Sequence, residues 1–102
     1  MNPKNASNIA PQLQHSFDRQ TMMTTVGASM VSAAEGRCIL QAPIGPHVLQ
    51  QHGAAHAGLA FMLGDSAAGY AALSLMPESR EVMTVEMKIN LLAPAIGDTL
   101  EA

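Results

Sequence analysis

The chain has 102 residues, 48% of them hydrophobic, 13% charged and 3% aromatic, with a net charge of −3 at pH 7. Such a length holds one domain with a thin core, which Ala, Leu, Met and Val must fill in the near absence of aromatic rings. Five Lys plus Arg spread along the chain form no basic stripe for nucleic acid, the single Cys38 excludes the disulfide-rich secreted class, and the apolar share excludes wholesale disorder.

Residues 1–10 carry Lys4 and then Asn, Ala and Ser without an apolar run, which predicts a flexible start, no secretory signal and a cytoplasmic location. From Pro11 to Thr25, Leu13, Phe17, Met22 and Met23 recur at loosely helical spacing, and Pro11 suits a first turn, so one short helix is expected. Ala28–Ala33 and Arg37–Ala42 flank Glu35-Gly36 and read as a hairpin, with Cys38 as a small buried hydrophobe. Pro43, Gly45 and Pro46 stop the second strand and open a polar loop from His47 to Gly53.

Ala55 to Met76 holds good helix formers and tiny residues whose apolar positions run right round the helix, so a helix enclosed by protein is expected, ending at Pro77, Glu78 and Ser79. Its His56 and Asp65, and its Ala and Gly filling, favour burial over a membrane span. Met83, Val85, Met87, Ile89 and Leu91 then alternate with Thr84, Glu86, Lys88 and Asn90, the pattern of a half-buried strand. Pro94, Gly97 and Asp98 form a turn, after which Thr99–Ala102 restarts the alternation. Antiparallel strands with one enclosed helix indicate the α+β class in a single domain, 1–102.

Between Glu35 and Glu78 the only acidic residue is Asp65, in the middle of the most apolar helix. A buried Asp can simply satisfy a neighbouring hydroxyl or backbone group. Held in a partly dry site, it is also a usable base or nucleophile. His56 stands at the expected start of the same helix, where unpaired N–H groups favour developing negative charge. Nine residues separate the two, about 13 to 14 Å of rise and about 180° of rotation, so they cannot serve one reacting centre within one chain. If both are functional, the site is shared between two protomers.

His52 and His56 at i, i+4 could form a metal pair, but no nearby Cys or Glu completes a ligand set, and no metal is expected. Gly64-Asp65-Ser66 matches the opening of a GDS-type serine esterase motif, yet that serine belongs to a strand-to-helix turn and Ser66 lies in mid-helix. It stays a distant alternative.

The stretch from Gln50 to Ala95 resembles the PaaI-like branch of the hot-dog thioesterases. There a loop Asn or Gln, a His-Gly-Gly, and an Asp nine residues after that His recur; here they stand as Gln50, His56-Ala57-Gly58 and Asp65. Val82 to Ala95 is similar to that family's Thr-Val-x-x-x-Ile-Asn-x-x-x-Pro-Ala strand. The resemblance implies a hot-dog fold, an antiparallel sheet wrapped around the long helix, and hydrolysis of an acyl thioester, usually of coenzyme A. It implies Asp65 as base or nucleophile, Gln50 and Thr84 as its helpers, and the Ala57 N–H as the group that polarises the carbonyl. His56, Gly58 and Ser66 would border the substrate. Coenzyme A would enter as part of the substrate, with no separate cofactor, and the protein would be a homodimer or a dimer of dimers.

Two departures accompany the match. Ala57 stands where Gly is usual, and the family continues for further strands that this chain lacks, so the sheet is expected to be incomplete and its bare edge to favour association. A non-catalytic acyl-CoA-binding hot-dog domain, or a hot-dog dehydratase acting on hydroxyacyl-CoA, would share the fold. The first has no need for a carboxylate opposite a helix start. The second would place a catalytic His and Asp together.

Overall fold

The computed structural model of the chain describes residues 8–102. The expected flexible start falls outside the described residues for 1–7. Residues 8–10 are tied down instead, since Ile9 bridges Ala33 and the Ala33 N–H donates to Asn8 O at 3.0 Å.

The single helix expected from Pro11 to Thr25 is two, α1 (Pro11–Asp18) and α2 (Thr21–Val26), broken at Arg19 and Gln20. Geometry gives the reason. In one continuous helix Val26 would lie about 220° around the axis from Leu13. The break turns Leu13, Phe17, Met23 and Val26 into the same core. Gly27 closes α2 with φ of 76°, a left-handed conformation that suits glycine.

The hairpin forms as expected. Strand β1 (Ser29–Ala34) pairs antiparallel with β2 (Arg37–Pro43) across the two-residue turn Glu35-Gly36, whose φ values of 55° and 82° fit the mirror-image turn that matches strand twist. A register shift between Met30 and Ser32 bulges β1. The extra residue resets the alternation, so Met30 and Ala33, three apart, both reach the core opposite Leu40 and Cys38. Cys38 is half-buried, and loss of solvent pushes its thiol up to about 11. Thr99–Glu101 forms β3 on the other side of β2, giving the sheet order β1-β2-β3.

Helix α3 (Ala57–Leu73) lies chiefly across β2. Only one stripe of it is buried, Leu59, Leu63, Ala67 and Tyr70, spaced to follow a single face. The enclosure expected from its all-round apolar sequence is therefore not complete among the described residues: Ala68 and Ala72 are exposed on the far side, and Phe61 is 40% exposed. The helix also ends at Leu73, ahead of Pro77. Ser74 turns its hydroxyl to Ala71 O at 2.7 Å and accepts the Gly36 N–H at 2.7 Å, so the helix end is spliced to the hairpin turn.

The expected strand from Met83 to Leu91 is the main correction. No ladder forms there, and Met83, Val85 and Leu92 are 89%, 98% and 92% exposed. Alternation supplies one face to bury, but a strand also requires a neighbour for its N–H and C=O groups, and none of the described residues offers one. The segment instead lies against the outer face of α3, where an added Cβ on Gly64 or Gly69 would stand 3.6 Å from Met87 and 3.7 Å from Val82. No helix among the described residues is long and apolar enough to cross a membrane.

Leu63 is fully buried where α3 meets the sheet. Leu63→Ala is expected to lower unfolding stability by about 2 to 4 kcal/mol, read as a lower midpoint in urea denaturation.

Candidate active site

Asp65 lies about 200° around α3 from Leu63, hence on the face turned away from the sheet. It is half-buried there, and Thr84 of the extended segment donates its hydroxyl to Asp65 Oδ1 at 2.5 Å. The second carboxylate oxygen has no protein donor among the described residues. Asp65, Ser66 and Thr84 line one cavity of about 400 Å³, together with Tyr70, Leu73 and Val82. Ser66 is half-buried beside the carboxylate and sits inside the helix, where no sharp turn presents its hydroxyl.

The start of α3 is built from a second set of residues. His56 has extended backbone, φ −61° and ψ 140°, and its ring Nδ1 accepts the Gly58 N–H at 2.8 Å, capping the helix. A Cβ on Gly58 would meet that ring nitrogen at 3.0 Å, so glycine is what lets the imidazole fold back so closely. The Leu59 N–H bonds to His56 O at 2.9 Å. That leaves the exposed Ala57 N–H without an acceptor among the described residues, at the positive end of the helix.

Gln50 has a role that sequence spacing did not reveal. Its side-chain oxygen accepts the N–H groups of His52 at 2.5 Å and Ala54 at 3.3 Å, and its backbone N–H bonds to Ala54 O at 2.8 Å. These bonds knot the loop that delivers the chain to His56 and leave the Gln50 NH₂ group without a protein acceptor among the described residues. His56 N donates to Val48 O at 2.8 Å and Ala55 N to Ala95 O at 2.9 Å, which fixes the loop to the core and to the extended segment. Gln50, His56 and Ala57 line a second open cavity of about 760 Å³, with Leu91, Leu92 and Pro94 on its other wall.

The expected site residues thus fall into two groups, Asp65, Ser66 and Thr84 in one cavity and Gln50, His56 and Ala57 in the other. The two linings share no residue. Gly58 joins the second group through its bond to His56. Sequence reasoning missed Tyr70, whose buried hydroxyl meets Ser16 Oγ at 3.0 Å and the Gln20 side-chain amide at 2.8 Å on the wall of the Asp65 cavity. Its polar oxygen within an apolar helix stripe was the available signal.

No protein-family model matches the chain. A thioesterase family protein from Silicibacter pomeroyi superposes with a TM-score of 0.85 at 44% identity, over 88% of this chain and 66% of that one. A protein of Halobacterium salinarum named as an esterase is 30% identical over 101 residues, which span 93% of this chain and 66% of the relative. The Escherichia coli PaaI protein, at 24% identity, matches in fold with a TM-score of 0.78 over 89% of this chain and 64% of its own. The chain therefore spans just under two thirds of the length of these relatives. With its central helix and antiparallel sheet it carries an incomplete form of the hot-dog fold of these proteins, and its sequence is similar to that of a thioesterase family protein.

Proposed function

We propose that the chain is the helix-bearing part of an acyl-CoA thioesterase in which Asp65 drives attack on the thioester carbonyl. The observation that carries this reading is a half-buried carboxylate, oriented by the Thr84 hydroxyl, on the wall of a cavity next to the helix. Thioesterase kinship supports the reaction class. A domain that only bound acyl-CoA would have no use for a carboxylate where an anionic intermediate develops.

The chemistry follows from the donors and acceptors present. With Thr84 bound to Oδ1, Oδ2 of Asp65 is the oxygen left to act on the reactant. As a general base it takes a proton from water as the water oxygen bonds to the carbonyl carbon; as a nucleophile it bonds to that carbon itself and water then cleaves the anhydride. In both routes the carbonyl oxygen gains charge, the C–S bond breaks, and the coenzyme A thiolate leaves and takes up a proton. The Ala57 N–H, at the positive end of α3, is suited to hold the oxyanion. The Gln50 NH₂ group is suited to position water or thioester.

Asp65 and Ala57 are eight residues apart, about 12 Å of helix rise, and they open into different cavities. One acyl carbonyl cannot touch both within a chain. The reading therefore includes a two-fold homodimer in which Asp65 of one protomer faces the helix start of the other.

Asp65→Asn keeps an acceptor for Thr84 but cannot take a proton, and thioester hydrolysis should fall at least about a hundredfold, measured by thiol release. Ser66→Ala should retain most activity. Labelling of Ser66 by a fluorophosphonate would move the assignment to a serine nucleophile.

Gln50→Glu preserves the oxygen that knots the loop but removes the unbonded NH₂ group, whereas Gln50→Leu removes both. Hydrolysis is expected to drop in each. Only Gln50→Leu should speed exchange of the buried Ala54 amide, by roughly tenfold for a loss of about 1.4 kcal/mol. Equal exchange in the two variants would refute the loop role.

Ala57→Pro deletes the N–H alone, because proline is tolerated at the first helical position and the extended His56 backbone suits the residue before it. Mixing Ala57→Pro with Asp65→Ala subunits, each inactive by itself, is expected to restore up to about a quarter of wild-type activity through one intact site in mixed dimers. Demonstrated subunit exchange with no recovery would place the electrophilic partner of Asp65 in its own chain.

A further inference from the structure

Eight of the 102 residues are methionine, and two of them, Met83 and Met87, flank Thr84 on the segment that lies across the outer face of α3. Their surroundings differ. Met83 is almost fully exposed, whereas Met87 is half-buried, its methyl group 3.6 Å from where a Cβ on Gly64 would stand. Val82, also half-buried, approaches Gly69 in the same way at 3.7 Å. These two seats bracket Thr84, whose hydroxyl reaches Asp65 Oδ1 between them.

A thioether seated there has a chemical weakness. Its sulfur lone pair attacks one oxygen of a hydroperoxide, the O–O bond breaks, and the second oxygen leaves as water or alcohol once it has taken up a proton. Sulfur loses two electrons, the peroxide gains two, and a sulfoxide remains. That group is polar and requires a donor, but the N–H groups of α3 beside Gly64 are engaged in helical bonds. The neighbouring Asp65 carboxylate repels the negative end of the S–O dipole as well. A segment held by so few contacts cannot lose one of them without opening more often.

Exposure and packing together single out the residue. Met22, Met76 and Met83 are exposed to an oxidant, but neither seat of the segment is theirs. Met23 and Met30 are buried in the core, and Met62 is half-buried against it. Met87 is both reachable and seated beside Asp65.

We propose that Met87 is an oxidation site through which hydroperoxides lower the activity: its sulfoxide unseats residues 82–87 from α3 and takes the Thr84 hydroxyl off Asp65. The loss of hydrolysis rests on the thioesterase reading; the unseating does not. Methionine sulfoxide is reduced back by sulfoxide reductases, so the change is reversible.

Hydrogen peroxide is the probe. Sulfoxide is located by peptide mass spectrometry, and limited trypsin digestion compares cleavage after Lys88, exposed on the segment, with cleavage after Arg37 in β2. Oxidised protein is expected to be cut after Lys88 about tenfold faster, with cleavage after Arg37 unchanged. Thiol release from hexanoyl-CoA or benzoyl-CoA should slow by about tenfold, and a methionine sulfoxide reductase should restore both readings. Met87→Leu, which keeps an apolar side chain of similar volume, should resist peroxide in both. Met87→Gln, similar in length and polar at its end, should reproduce both without peroxide. Thr84→Ala should begin with slow hydrolysis that peroxide lowers no further. Circular dichroism checks the fold of each variant. Sulfoxide at Met87 with unchanged cleavage, an intact Met87 in protein whose Met83 is fully oxidised, or an equal loss in Met87→Leu overturns the site. Faster cleavage after Lys88 in a protein that releases thiol from neither thioester, before or after oxidation, refutes the hydrolase reading and leaves the oxidation site standing.

Discussion

The burial of one stripe of α3 against β2 orients everything else in the molecule. Leu59, Leu63 and Ala67 are buried along one face with Tyr70, which packs on Phe17 of α1, and that choice sends Asp65 to the side away from Leu63, about 200° around the helix. Desolvating the stripe is worth several kcal/mol, far more than the burial of any residue on the outer face, so the helix has one stable rotation. A rotation by one residue would bury Gly64 and Ala68 in place of Leu63 and Ala67 and carry Asp65 towards the sheet, where a carboxylate without partners is costly. Placement of the carboxylate is thus a by-product of core packing.

The ends of α3 are fixed by polar rather than apolar contacts. At the start, the Gln50 knot, the His56 cap and the close fit of Gly58 set where the helix begins and leave the Ala57 N–H exposed. At the far end, the Ser74 hydroxyl joins the helix to Gly36 in the hairpin turn. A helix clamped at both ends and along one stripe holds Asp65 and Ala57 at a fixed separation. That rigidity is why the two belong to different cavities and why the proposed hydrolysis calls for a site shared between protomers.

Much of this was legible in the residues. Glu35-Gly36 between two apolar runs specified the hairpin because only a mirror-image turn closes it with two residues. Asp65 stood out as a lone acid in an apolar helix, and its distance from His56 followed from helical geometry alone. Other features were hidden because they depend on contacts distant in sequence. The break at Arg19 and Gln20 carries no proline or glycine, and it is decided by the need of Val26 to reach the same core as Leu13. The β1 bulge is likewise invisible until Met30 finds Leu40. Gln50 was noticed for its place in a family motif, while its bonds within the loop could be seen only once the loop was folded.

Residues 83–91 show how a sequence pattern and a structure can part for a physical reason. Their alternation describes which faces would be wet and dry in a strand, but a ladder is a property of two segments. Thr84 therefore reaches Asp65 from backbone held by only a few contacts, at Gly64, at Gly69 and through the bond from Ala55 to Ala95 O. Segments with so few buried contacts open at low free-energy cost, whereas catalysis by a carboxylate depends on its being held in place. The hydroxyl that orients Asp65 is accordingly the least secured part of the site, and pairing of this segment with another strand would raise the fraction of time in which the carboxylate is correctly aimed.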